Sequence, residues 1–202
     1  MANPRKLLVE GRDDAVVVAN LCQAHQLPDA FEIAGKKGIT DLLETLSTQL
    51  KTSDLEVLGI LVDADTDLQA RWQSLRAHLT KEGYLVPDVP VSTGTILRVE
   101  DKPTVGIWVM PDNHLPGMLE DFVATLIPDG DALFPYAKEC VQKLPEQRFS
   151  PALRAKADIH TWLAWQDEPG LPFGTAITAS YLDPRSVHAQ DFISWLRALF
   201  IS

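Results

Sequence analysis

The run Val57-Leu58-Gly59-Ile60-Leu61-Val62 has no polar position and leads straight into Asp63-Ala64-Asp65-Thr66-Asp67. A half-exposed strand alternates apolar and polar residues, whereas a strand without a polar face must be covered on both sides. Central strands of parallel sheets, with helices above and below, meet that condition. The segment therefore directs the chain toward a layered α/β fold. It also sets an acidic cluster at the carboxyl end of the middle strand, where open α/β sheets form their ligand crevices.

The flanking segments fit the same architecture. Lys6-Leu7-Leu8-Val9 reads as a buried strand ending at Glu10-Gly11, and a helix is expected from about Asp13 to His25. Phe31 to Ala34 reads as a second short strand and Gly35-Lys36-Lys37-Gly38 as a turn. Ile39, Leu42, Leu43, Leu46 and Leu50 recur at helical spacing. Leu68, Trp72, Leu75 and Leu79 mark another helix, closed by Gly83. The proline-punctuated stretch after it carries a candidate strand from Thr95 to Val99, and Val105 to Met110 is a further strand. Leu119, Phe122, Val123 and Leu126 begin a mostly helical remainder, with helices expected at about 129–144, 151–166 and 189–201. The stretch from Gly170 to Pro184 reads as loop with a short strand at most. The expected division is an α/β core over 1–128 and a helical extension over 129–202, packed together as one unit.

The chain has 202 residues, with 18 Lys plus Arg against 28 Asp plus Glu, a net charge of −10. A free-standing, high-affinity nucleic-acid binder is normally basic. That class is disfavoured, but an enzyme whose carboxylates hold cations is not, because the ions reverse the local field. No run approaches a membrane span of roughly 18 apolar residues, and the opening segment is too short for a signal-peptide core. Cys22 and Cys140 form neither a disulfide framework nor a metal spacing. A cytoplasmic protein is the expectation.

Glu10 ends the first strand, Asp63 and Asp65 end the middle one, and Glu120 follows the late strand at the start of its helix. Asp14 lies one helical turn beyond Glu10. In a parallel sheet these five acids reach one rim. Taken singly, each has an ordinary role: Glu10-Gly11 a strand-to-turn boundary, one of Asp63, Asp65 or Asp67 a helix cap, Glu120 a first-turn glutamate. Taken together they would repel one another, and divalent metal is the simplest relief.

Val9-Glu10-Gly11-Arg12-Asp13-Asp14, followed some fifty residues later by Leu61-Val62-Asp63-Ala64-Asp65, resembles the Toprim domain. That domain is shared by topoisomerases, bacterial primases, RNA-maturation nucleases and the OLD-family nucleases. Asp14, four positions after the glutamate, and Leu119-Glu120 after the late strand bring the resemblance closest to the OLD-type branch. Met118 departs from it, standing where those nucleases usually have threonine. Pro111-Asp112-Asn113 with Gly117-Met118-Leu119-Glu120-Asp121 is similar to a small stand-alone Toprim-like group. The resemblance spans roughly residues 5 to 125.

The resemblance implies a Toprim-like Rossmannoid sheet and phosphodiester hydrolysis with Mg²⁺ or Mn²⁺, two ions together. Glu10, Asp63 and Asp65 would hold one ion, and Asp14 and Glu120 would contribute to the second. The OLD-type branch also uses a late lysine, for which Lys156 is the candidate beside the catalytic Glu10; a solvated surface lysine is its ordinary reading. Lys36 and Lys37, at a helix start between glycines, are candidate phosphate contacts. OLD-type nucleases carry an ATPase ahead of the Toprim part, whereas here the first strand begins at about residue 5. The expected partners are therefore nucleic acid (DNA ahead of RNA), a separate ATPase chain and a second copy of this chain, with no membrane.

Two rivals come from other classes. Asp63-Ala64-Asp65-Thr66 also resembles the haloacid-dehalogenase phosphatase motif, but that motif follows the first strand of its domain and would leave Glu10 without a role. A Toprim-like fold with a weak or silent site, acting as an interaction or regulatory subunit, fits the acidic charge. The tyrosines, Tyr84, Tyr136 and Tyr181, have no topoisomerase context. The histidines, including His114 near the expected rim, lack metal spacing, and Trp162, Trp165 and Trp195 read as core or covered surface.

Overall fold

The computed structural model describes residues 3–201. Its centre is a five-stranded sheet in the order β2-β1-β3-β5-β4. The strands are β1 (Arg5–Val9), β2 (Glu32–Gly35), β3 (Val57–Asp63), β4 (Thr95–Leu97) and β5 (Thr104–Met110). β2, β1, β3 and β5 are parallel, and β4 pairs antiparallel with β5 at the edge. The apolar run 57–62 thus occupies the middle strand, as its uniform burial requires.

Helices α1 (Arg12–Ala24), α2 (Ile39–Leu50) and α3 (Leu68–Lys81) connect the strands. α2 and α3 cover one face, where Leu42, Leu46, Trp72 and Leu75 meet Leu58, Ile60 and Val62. The other face takes the next set of side chains on β3, because strand residues alternate. There Leu61 joins Trp108, Val17 and the chain's later helices. These are α4 (Leu119–Ala124), α5 (Leu133–Gln142), α6 (Arg154–Leu163, entered through a 3₁₀ turn at Pro151–Leu153), α7 (Phe173–Thr178) and α8 (Val187–Phe200).

The last helix is part of this core. Leu199 sits over Gly59 and Gly106, and a Cβ on Gly106 would come within 2.2 Å of Leu199 Cδ2. Those two glycines let α8 approach the sheet backbone closely. Trp195 packs at 5.7 Å from Trp108, and Phe200 stacks on Phe31 at 4.0 Å. Trp162 and Trp195 are buried, while Trp165 stays partly exposed beside Tyr136.

The segment from Gly170 to Pro184 departs from expectation: it carries α7 where a loop with a short strand was expected. Gly174, Thr175, Ile177 and Thr178 are weak helix formers, so local propensity conceals the helix. Close packing on α1 compensates; a Cβ on Gly174 would meet Val16 Cγ1 at 2.4 Å. Among the described residues, no helix is long and apolar enough to cross a membrane.

Candidate acidic site

The carboxyl ends of β1, β3 and β5 open on one rim. Glu10 follows β1 directly, and its Oε1 accepts the main-chain N–H of Asp63 at 2.9 Å, tying the ends of β1 and β3 together. Asp63 shares the side-chain parity of Leu61, so it emerges on the face that carries α1, α4 and α6. There a cleft of about 330 Å³ is lined by Asp14, Asp63, Glu120 and Lys156, among others.

Each of these groups is held by local structure. Asp14 is the third residue of α1, and its Oδ2 accepts the Gly11 N–H at 3.0 Å, closing the helix start. Glu120 lies in the first turn of α4 and is 5% exposed. Its Oε1 accepts from the Lys156 ammonium at 2.8 Å, across from α6. Gly117 positions that helix start. Its N–H and C=O pair with Asp65 in a small antiparallel bridge, at 2.7 and 2.8 Å.

Asp65 takes a different direction from Asp63. Its backbone φ of 53° interrupts the strand alternation, and its carboxylate meets the Arg71 guanidinium on α3. Asp65 and Arg71 line a neighbouring cleft of about 270 Å³ with Thr66 and Ser74. Asp67 caps α3, its Oδ1 accepting from Ala70 N–H at 2.9 Å.

The electrostatics centre on Asp63. Burial first, and then the negative charges of Glu10, Asp14, Glu120 and Asp65, together raise its pKa to about 8. The other four acids expected at the rim therefore all act on this one carboxyl. Asp14 is raised to about 6, by burial first and also by Glu120 and Asp13. Glu10 is raised by burial, against the lowering effects of the Asp63 N–H and Arg71. Lys156 is raised by its hydrogen bond to Glu120.

Two buried oxygens, Asp14 Oδ1 and Asp63 Oδ1, have no hydrogen-bond partner. An unpartnered buried carboxylate oxygen is costly unless a proton or cation meets it. Hard oxygen donors of this kind suit Mg²⁺ or Mn²⁺, so the residues fit a divalent ion. Among the described residues, no three His, Cys, Asp or Glu side chains stand grouped to hold a metal as they are. Three of them are engaged otherwise: Glu120 is held by Lys156, Asp65 by Arg71, and Asp14 by the end of its own helix.

Lys36 and Lys37 sit in the loop beside Glu10. Lys36 N–H donates to Val9 O at 2.9 Å and Gly38 N–H to Glu10 O at 2.8 Å. Lys37 N–H donates to Asp41 at 3.0 Å. Among the described residues, neither ammonium makes an ion pair. His114 is exposed on its loop.

Two residues near the site were not expected. Arg71 follows the Asp67 cap by one helical turn, so it faces back toward the Asp63–Asp65 loop; an arginine at that offset is the signal that marks it. His160 lies one turn beyond Lys156 on α6 and stacks on Phe173 at 5.1 Å. Its pKa is lowered, by burial first and then by Lys156, against the charges of Glu120 and Asp13.

A family model described as "Protein of unknown function (DUF3226)" matches residues 4–201, and the chain belongs to that family. No curated protein and no solved structure matches the chain.

Proposed function

We propose that this member of the DUF3226 family is a divalent-cation-dependent nuclease that hydrolyses phosphodiester bonds, with DNA as the favoured substrate. The observation that carries the reading is the environment of Asp63. It is a half-buried carboxyl with one enclosed, unpartnered oxygen, pushed up by four other carboxylates that reach it from two strand ends and two helices. An acidic cluster in a cleft, with perturbed protonation, is the signature of a functional site.

In this reading Asp63, Asp14 and Glu120 hold a cation in the cleft, and Glu10 and Asp65 complete the set from the adjoining side. Magnesium or manganese would supply Lewis-acid stabilisation of charge on the phosphoryl oxygens and activation of water. Glu10 fixes the end of β3 through its bond from the Asp63 N–H. Lys156, with 47% of its side chain exposed at the cleft, supplies positive charge to the phosphate. The loop of Lys36 and Lys37 lies on the same rim and offers backbone-phosphate contacts. The net charge of −10 disfavours unaided capture of nucleic acid, so an ATPase partner chain would supply recruitment.

The test is calorimetric titration of Mg²⁺ and Mn²⁺ into the purified chain, followed by cleavage assays on single- and double-stranded DNA and RNA. Saturable binding, lost with Asp63→Asn, and cleavage, lost with Glu10→Gln at unchanged melting temperature, support the reading. Cleavage unchanged by Glu10→Gln sinks it.

A second reading, an interaction subunit with a silent site, is favoured by the pairing of Glu120 and Asp65 with the chain's own cations. It predicts no cation binding at millimolar concentration.

A further inference from the structure

Arg71 stands at the acidic rim with only 13% of its side chain accessible. It makes two contacts with one short loop. Its Nε donates to the main-chain carbonyl of Asp63 at 2.8 Å, and its terminal nitrogen donates to the carboxylate of Asp65. The planar guanidinium makes both at once because its donors diverge in a fixed fork. Asp65 is 50% exposed and has the left-handed backbone that turns it from the Asp14–Asp63–Glu120 cleft. The main chain of Asp65 has a second anchor in the bridge to Gly117, so the loop does not hang on Arg71 alone.

We infer that Arg71 is a positioning residue that acts as a built-in counter-cation: it holds the Asp65 carboxylate on the α3 side of the rim and yields it when a divalent ion enters. The inference rests on the proposed carboxylate site and specifies how that site is kept in its cation-free form. The bond from Arg71 Nε to the Asp63 carbonyl does not involve the carboxylate. It keeps the guanidinium beside the loop after Asp65 is released, facing the adjoining cleft with Thr66 and Ser74.

Competition of this kind has a direction that a purely structural role lacks. Removing Arg71 should tighten cation binding, because the ion no longer displaces a partner from Asp65. A partly exposed ion pair of up to ~1 kcal/mol corresponds to roughly a fivefold change in affinity. The experiment is calorimetric titration of Mn²⁺ into the full chain as wild type, Arg71→Gln, Asp65→Asn and the double variant. The expected result is about fivefold tighter binding for Arg71→Gln on the wild-type background, and little change when Arg71→Gln is added to Asp65→Asn.

Equal or weaker binding by folded Arg71→Gln overturns the inference and leaves the carboxylate site standing. Equal tightening with and without Asp65 overturns it as well, since that is a general charge effect. Absence of Mn²⁺ binding in the wild type overturns both this inference and the proposed function. Arg71→Lys covers the case in which Arg71→Gln does not fold. Its single ammonium cannot hold the carbonyl and the carboxylate in the same way, so binding should tighten by a smaller factor; unchanged binding would count against the inference.

Discussion

The Nζ of Lys156 lies 2.8 Å from Oε1 of Glu120, joining residues 36 positions apart on α6 and α4. Glu120 is almost fully enclosed, whereas Lys156 is about half exposed. Water therefore screens the pair on one side, and its contribution to stability is modest, ~1 kcal/mol or less. The proposed chemistry depends far more on the Lys156 charge itself. Lys156→Ala should lower cleavage by ~10²-fold or more while moving the melting temperature by only ~2–4 °C. Parallel melts and single-turnover assays separate the two effects, and a large loss of stability with activity retained per folded molecule would reverse the assignment.

Asp63 and Asp14 give the stability a definite pH dependence. Their folded pKa values, about 8 and about 6, lie above those of free aspartate, so the folded state binds more protons than the unfolded one between them. Stability is then highest near pH 4 and falls as pH rises toward 8, flattening above that. Asp63→Asn should remove most of the fall, making the variant more stable than the wild type at pH 8.5 in the presence of chelator. Melting curves from pH 4.5 to 9 test it; a wild type that gains stability over this range contradicts an enclosed, charge-crowded Asp63.

Divalent cations should reverse that loss. Binding to the folded state alone stabilises by about 2.7 kcal/mol at a hundredfold excess over Kd. Affinity should rise with pH from 6 to 8 as Asp14 and Asp63 release their protons. Calorimetry in two buffers of different ionisation enthalpy reads the protons directly. Cation binding with no proton release would place the ion elsewhere.

Gly117→Ala should damage both fold and site. The glycine has φ 146°, and a Cβ there would approach Asp121 Oδ2 to 2.8 Å and Pro111 Cδ to 3.0 Å. Asp121 is engaged by the Met118 N–H at the start of α4, so it cannot swing aside without freeing that donor. A cost of ~1–3 kcal/mol is expected, together with weaker cation binding through the lost bridge to Asp65. Chemical denaturation and Mn²⁺ titration check the two parts.

Gly106→Val should be at least as damaging to the fold as Gly117→Ala. Leu199 already fills the space above Gly106, and overpacking a tight core costs ~1–3 kcal/mol or more. Lifting α8 would also expose Trp108 and Trp195, giving a red-shifted fluorescence spectrum. A variant with wild-type stability and spectrum would mean that α8 is not seated on the sheet.

Much of this architecture is written in local patterns. Uniformly apolar strands declare themselves because burial on both faces excludes polar residues, and 57–62 does so most clearly. Glu10, Asp63 and Asp65 stand at or just beyond strand ends, and a parallel sheet delivers strand ends to one rim. The position of the acids was legible for that reason. Their partition was not. The division into Asp63 with Asp14 and Glu120 on one side, and Asp65 with Arg71 on the other, follows from a left-handed backbone at Asp65 and from the direction in which α3 leaves the loop.

The sequence by itself determined the α/β layering and the order of the main strands and helices. It also set the convergence of five carboxylates at the carboxyl ends of the sheet, because these depend on short-range periodicity and on where each acid falls along its own element. Only the tertiary structure decided that α7 forms against α1, that α8 closes the second face of the sheet, and that Lys156 and Arg71 become the partners of Glu120 and Asp65. Those outcomes depend on contacts between separate elements, through close packing at Gly59, Gly106 and Gly174 and through burial that forces charges to find partners.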